Sequence, residues 1–78
     1  MPDQDEVLNI VKTAILQDPT ITDPNGIVLS VDRKGSLFKK ETVVRLDGSV
    51  QFEAEIPKVE EIVRRKLPQV AIENNLHA

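Results

Sequence analysis

Residues 43–54, Val43-Val44-Arg45-Leu46-Asp47-Gly48-Ser49-Val50-Gln51-Phe52-Glu53-Ala54, decide how this chain is read. Apolar residues alternate on both sides of Asp47-Gly48, a dipeptide that turns a chain tightly because glycine accepts the positive φ a short hairpin needs. The spacing predicts a strand, a turn and a second strand. A two-residue loop would set Arg45 opposite Val50 and place a charge among core residues. A three-residue loop instead aligns Val44 and Leu46 with Val50, Phe52, Ala54 and Ile56, so burial selects the odd loop, with a bulge at Gly48.

Working outward, Pro57 opens a helix that Pro68 closes. Val59, Ile62, Val63 and Leu67 share one face of it, while Glu60→Arg64 and Glu61→Arg65 form four-residue pairs of roughly 0.2–0.5 kcal/mol each. Val70-Ala71-Ile72 then reads as a short strand. Upstream, Val7, Ile10, Val11, Ala14 and Ile15 form a helical stripe with Leu8 beside it. Asp3 and Glu6 suit a capping box, and Asp18-Pro19 ends the helix. Asp23-Pro24-Asn25-Gly26 is turn chemistry. Ile27, Leu29 and Val31 alternate with Val28, Ser30 and Asp32, a strand with one buried face. Arg33-Lys34-Gly35-Ser36 reads as a turn into a strand where Phe38, Lys40, Thr42, Val44 and Leu46 share a face.

The expectation is a single α+β domain over residues 1–78: helix 4–17, strands about 27–33, 37–46, 50–56 and 69–73, and helix 57–67. The order α-β-β-β-α-β gives a small two-layer sandwich, with two helices packed on one face of a mostly antiparallel sheet. At 78 residues, with Phe38 and Phe52 as the only aromatics, a core this small supports about 3–5 kcal/mol.

Composition excludes several kinds of chemistry. Without cysteine there are no disulfides, thiolate metal sites or iron–sulfur clusters. The acidic start, Met1 to Glu6, is not a signal peptide, and no apolar run reaches the length of a membrane span. A cytoplasmic location is expected, or a trimmed exported form. The net charge of −3 argues against a general nucleic-acid binder.

No catalytic constellation assembles. His77 is the only histidine and stands one residue from the end, and Ser30, Ser36 and Ser49 lack a base. Glu53 and Glu55 are expected on the solvated face of the third strand. Asp23 and Asn25 lack the repeat of a calcium loop. Gly26, Gly35 and Gly48 each mark a turn and cradle no phosphate. The chain reads as a non-enzyme with no cofactor and no metal. What stands out is basic: Arg33, Lys34, Lys39 and Lys40 gather at the first hairpin around Phe38, and Arg64-Arg65-Lys66 ends the second helix. Such a patch suits anionic phospholipid or an acidic protein partner. Its structural counterpart is that lysines on an edge hairpin block aggregation and cations complement a helix C-terminus. The expected function is a small binding or interaction module. The alternatives are a homo-oligomer or subunit of a larger assembly, and weak nucleic-acid binding, which scarce aromatics disfavour.

Leu16-Gln17-Asp18, the run Val44-Arg45-Leu46-Asp47-Gly48-Ser49-Val50, the helix Val59 to Leu67 and the run Val70-Ala71-Ile72-Glu73-Asn74-Asn75-Leu76 together resemble a BON domain. That α/β module occurs in bacterial envelope and osmotic-stress proteins. The resemblance implies phospholipid or envelope binding. Three features depart from that pattern: no glycine precedes the second helix, Pro68 replaces the glycine that ends it, and residues 35–42 have no counterpart. Val59 to Val70 is also similar to the C-terminal domain of iron–sulfur scaffold proteins. Lacking that family's cysteine pair, this chain would share its shape and not its job.

Overall fold

In the computed structural model, which describes residues 4–35 and 40–78, the first apolar stripe folds as α1 (Gln4–Gln17) and buries Val7, Val11, Ala14 and Ile15. The expected cap, Asp3, lies outside the described residues. After α1 the Asp18 carboxylate accepts from the Thr20 hydroxyl at 2.6 Å and from the Thr20 N–H at 2.8 Å. The hydroxyl bond first and the backbone bond second hold Asp18 below its ordinary carboxylate range, and the charges of Arg65 and Lys58 act in the same direction. A short 3₁₀ turn over Pro24–Gly26 comes next, with Asp23 accepting from the Asn25 N–H at 3.2 Å.

β1 (Ile27–Gly35) and β2 (Lys40–Gly48) form a long antiparallel ladder, from Ile27↔Gly48 at one end to Gly35↔Lys40 at the other. β3 (Ala71–Asn74) runs parallel to β2, with Val43↔Ala71 through Leu46↔Asn74 in register. The sheet order is β1-β2-β3. Parallel neighbours need a crossover connection, and α2 (Glu55–Lys66) supplies it. Ile27, Leu29, Val31, Val44, Leu46 and Ile72 share one sheet face and pack with the buried sides of both helices in one core. Leu46, Val11, Val44, Val59 and Val63 are its largest fully buried side chains, each contributing about 1.5–3 kcal/mol on leaving water. The α+β class, with two helices covering a mostly antiparallel sheet, is as the sequence predicts.

The reading of residues 47–56 is corrected. Asp47-Gly48 does not turn the chain; both residues belong to β2, paired with Val28 and Ile27. The strand expected over 50–56 does not form; the isolated bridge Ser49↔His77 lies just ahead of it. Gly48 is needed for a different reason than a turn. Its φ is +89°, and a side chain there would overlap the Gly26 carbonyl oxygen across the ladder. Gly26 is the other half of this approach, since a Cβ on it would lie 2.7 Å from the Ser49 carbonyl oxygen. The edge of β2 that a hairpin partner would have used is already taken by β3 and the C-terminal tail. The Asn75 N–H donates to Leu46 O at 2.7 Å, the His77 N–H to Gly48 O at 3.2 Å and the Val50 N–H to His77 O at 2.9 Å. The C-terminus is therefore paired backbone. Val50 is buried as expected, but Phe52 is 58% exposed, in the turn that precedes α2.

The helix itself starts at Glu55, two residues before the expected Pro57, so Pro57 occupies the first turn, where a missing N–H costs nothing. Boundaries elsewhere shift by a few residues. β1 continues through the expected turn at Arg33-Lys34-Gly35, β2 is described from Lys40, and β3 runs to Asn74.

Candidate interaction surface

The β1–β2 hairpin outruns the rest of the sheet. β3 reaches only to Val43, so among the described residues the pairs Arg33↔Thr42, Lys34↔Glu41 and Gly35↔Lys40 have no third strand beside them. On the helix side the Gln4 amide donates to the Val31 carbonyl at 3.4 Å, which sets the start of the described α1 at the level of Val31. The hairpin therefore extends beyond both as a two-stranded arm, for at least about 10 Å at the rise of a β-strand. Of the basic residues singled out in the sequence, Arg33 is exposed on this arm. Lys34 and Lys40 are placed on it by backbone register. Phe38 and Lys39 lie outside the described residues. Residues 32–41 carry four cations and two carboxylates, a net +2, and the remaining chain then carries −5 of the total −3.

The second cluster stays with its own helix. Arg64 donates to Glu60 at 3.0 Å and Arg65 to Glu61 at 2.6 Å. Together with Lys66 they occupy the last turn of α2, where they complement the helix dipole. These exposed pairs are worth little.

Glu55 is not on a solvated strand face. It is 3% exposed at the head of α2. Its two oxygens accept the Thr22 N–H at 2.6 Å and the Phe52 N–H at 2.8 Å. It thus ties the 18–26 loop to the turn that precedes α2. Asn74 does comparable work on β3, donating to Ile56 O at 3.1 Å and accepting from the Leu76 N–H at 3.1 Å. Glu53 and the His77 side chain are exposed. Among the described residues no group of three His, Cys, Asp or Glu could hold a metal ion, and no helix is long and apolar enough to cross a membrane.

Among the described residues no helix covers the outer sheet face. Arg45 is central there, with its guanidinium 3.5 Å from Glu73 and 3.8 Å from Asp32. Those contacts are ion pairs too long to satisfy its buried Nε as hydrogen bonds.

Between α1 and the edge strand β1 lies a groove of about 780 Å³ that the sequence pattern does not announce. Leu8, Ile15 and Leu16 from α1 and Ile27, Val28 and Leu29 from β1 supply its apolar lining, and Asp5, Asn9, Lys12 and Asn25 make the rest of it polar. Leu16 and Val28 at its rim are 53% and 58% exposed. Its one trace in the sequence is Leu8, standing beside the buried stripe of α1. No family model matches the chain, and no curated protein matches it.

Proposed function

We propose that this protein is a non-enzymatic binding module whose β1–β2 arm contacts anionic phospholipid. The observation that carries this reading is the segregation of charge onto a projecting element. Residues 32–41, the stretch of sequence that includes the arm, carry +2 against −5 for the rest of the chain, so the rest is repelled by an anionic surface and the arm is the part that approaches it, end-on. Each cation near such a surface contributes about 1 kcal/mol. Arg33, Lys34, Lys39 and Lys40 together reach roughly the 4 kcal/mol of a millimolar contact, weak and reversible on one chain. Leu37 and Phe38 stand in sequence between the two basic pairs, where an apolar side chain can add to the contact.

The BON-like likeness supports the same reading, since that family is associated with phospholipid. Its spacing also falls on residues with coherent jobs here: Val44, Leu46 and Val50 are buried and Gly48 makes the close approach to β1. These jobs are structural, and the binding must come from elsewhere, namely the arm. The test is a ¹⁵N–¹H NMR titration with phosphatidylserine-containing and then purely phosphatidylcholine bicelles. Shifts confined to residues 33–41, present only with the anionic lipid and reduced by salt, are expected. An unchanged spectrum, or shifts centred on Arg64–Lys66, would defeat the proposal.

A further inference from the structure

We propose that the groove between α1 and β1 is a self-association surface, and that its occupant is a second copy of this chain related by a two-fold axis passing beside Leu29. The inference goes beyond the lipid reading and does not depend on it.

The backbone of the edge strand sets the register. Ser49 donates to Gly26 O at 2.9 Å, so residues 26, 28, 30 and 32 turn their polar groups toward β2. Ile27, Leu29 and Val31 therefore turn theirs outward. Two of these outward groups are taken within the chain: the Ile27 N–H donates to Pro24 O, and Val31 O accepts from Gln4. Ile27 O, Leu29 N–H, Leu29 O and Val31 N–H have no partner among the described residues and are left on the edge. Antiparallel pairing about a two-fold at Leu29 uses this set and no other. Leu29 exchanges both bonds with its own copy, and each Val31 N–H donates to the opposite Ile27 O. Four intermolecular hydrogen bonds form, and the two groups already committed would have faced only each other.

Side chains favour the same register. The paired segment, Ile27-Val28-Leu29-Ser30-Val31, is uncharged, with none of the charges, prolines or bulges that protect a sheet edge. The pairs are Ile27 with Val31, Val28 with Ser30 and Leu29 with Leu29. Asp32, Arg33 and Lys34 fall outside it.

The helix supplies an independent check. Gln4 is level with Val31, and α1 descends toward Ile27, because Ile15 and Leu16 line the groove with Pro24, Asn25 and Ile27. Leu29 lies two strand residues, about 7 Å, below Val31. At about 1.5 Å per helical residue that distance is between four and five residues of α1, which is the level of Leu8 and Asn9. The two-fold chosen from the strand alone thus passes within residues 5–12, near their middle. Asp5 and Lys12 both line the groove, and seven residues apart they share a helix face. Across this axis Asp5 of each copy meets Lys12 of the other, with Leu8 between them. Charge complementarity of this kind is isologous, the property a two-fold interface requires.

Sedimentation velocity up to about 1 mM, where a weak specific contact is populated, is the experiment. A concentration-dependent dimer is expected, together with amide-exchange protection that rises with concentration at Leu29 and Val31. Asp5→Lys and Lys12→Asp alone each place like charges in both symmetric contacts and weaken the dimer about tenfold. The double variant Asp5→Lys/Lys12→Asp restores the pairs and the affinity. Both side chains are surface positions on an exposed helix face, so folding is retained and is verified from spectral dispersion. A monomer at all concentrations overturns the proposal. So does a dimer indifferent to both single reversals, or one whose protection appears at β3 or on the arm. A monomer whose Leu29 and Val31 amides are protected only by added extended peptide assigns the groove to a different partner and overturns it too.

Discussion

The two ends of one hairpin behave as different materials. At the Ile27–Gly48 end, β2 is flanked on both edges, the Gly26 and Gly48 backbones touch, Glu55 ties two loops together and the C-terminal tail is hydrogen bonded in place. At the Gly35–Lys40 end the same two strands continue with neither a third strand nor the described helix beside them. Stability belongs to the first end. The exposed Arg33 belongs to the second. One ladder spans both because cross-strand hydrogen bonding carries it past the point where core packing stops.

This contrast can be broken most severely at its buried end. Leu46→Ala removes a side chain with no exposure and is expected to cost about 2–5 kcal/mol, enough to unfold much of so small a domain in a urea titration. Thr42→Ala, four residues along the same strand, is expected to cost under about 1 kcal/mol. Equal losses would mean that the arm is packed as tightly as the base. Gly48→Ala is next, at about 2–3 kcal/mol, because it combines a positive φ with a backbone overlap; thermal unfolding followed by circular dichroism reads it. Glu55→Ala leaves the Thr22 and Phe52 N–H groups without their acceptor and is expected to cost about 2 kcal/mol. Glu55→Gln keeps one acceptor and should fall between, and a variant as stable as the parent would show that water replaces the carboxylate.

At the exposed end the effects move from stability to binding. Lys39→Glu/Lys40→Glu is expected to change stability by less than about 0.5 kcal/mol while abolishing anionic-bicelle shifts. The smallest effect concerns Asp18. Its folded-state pKa is depressed, so its contribution is fully present above the unfolded carboxylate pKa and fades as pH falls through the lower folded value. Thr20→Val, which removes the leading cause of the depression, should raise the Asp18 pKa in an NMR titration and flatten that part of the acid limb.

Much of this is legible in the sequence because it is local. The stripe of α1, its end at Asp18-Pro19, the alternation of Ile27, Leu29 and Val31, and the amphipathic face Val59–Ile62–Val63 each arise from spacing within one segment. The basic hairpin is legible as composition, whereas its projection past β3 depends on where Ala71 pairs. Period-two counting puts Glu55 on the solvated face of a strand that never forms, so its buried role is hidden. The groove is hidden as well, because Leu8 and Val28 line one space only when α1 lies along β1.

By itself the sequence determined that there would be two amphipathic helices, a strand with one buried face, and Val44, Leu46 and Val50 in the interior, since periodicity and proline act over a few residues. Only the tertiary structure decided the course of the chain after Asp47-Gly48. A hairpin and a crossover both bury Val50, and the choice rests on competition for one edge of β2, which β3 and the tail win from more than twenty residues away. With that edge filled, Gly48 serves the contact with Gly26, Phe52 is left in solvent, and β1 remains the open edge of the sheet.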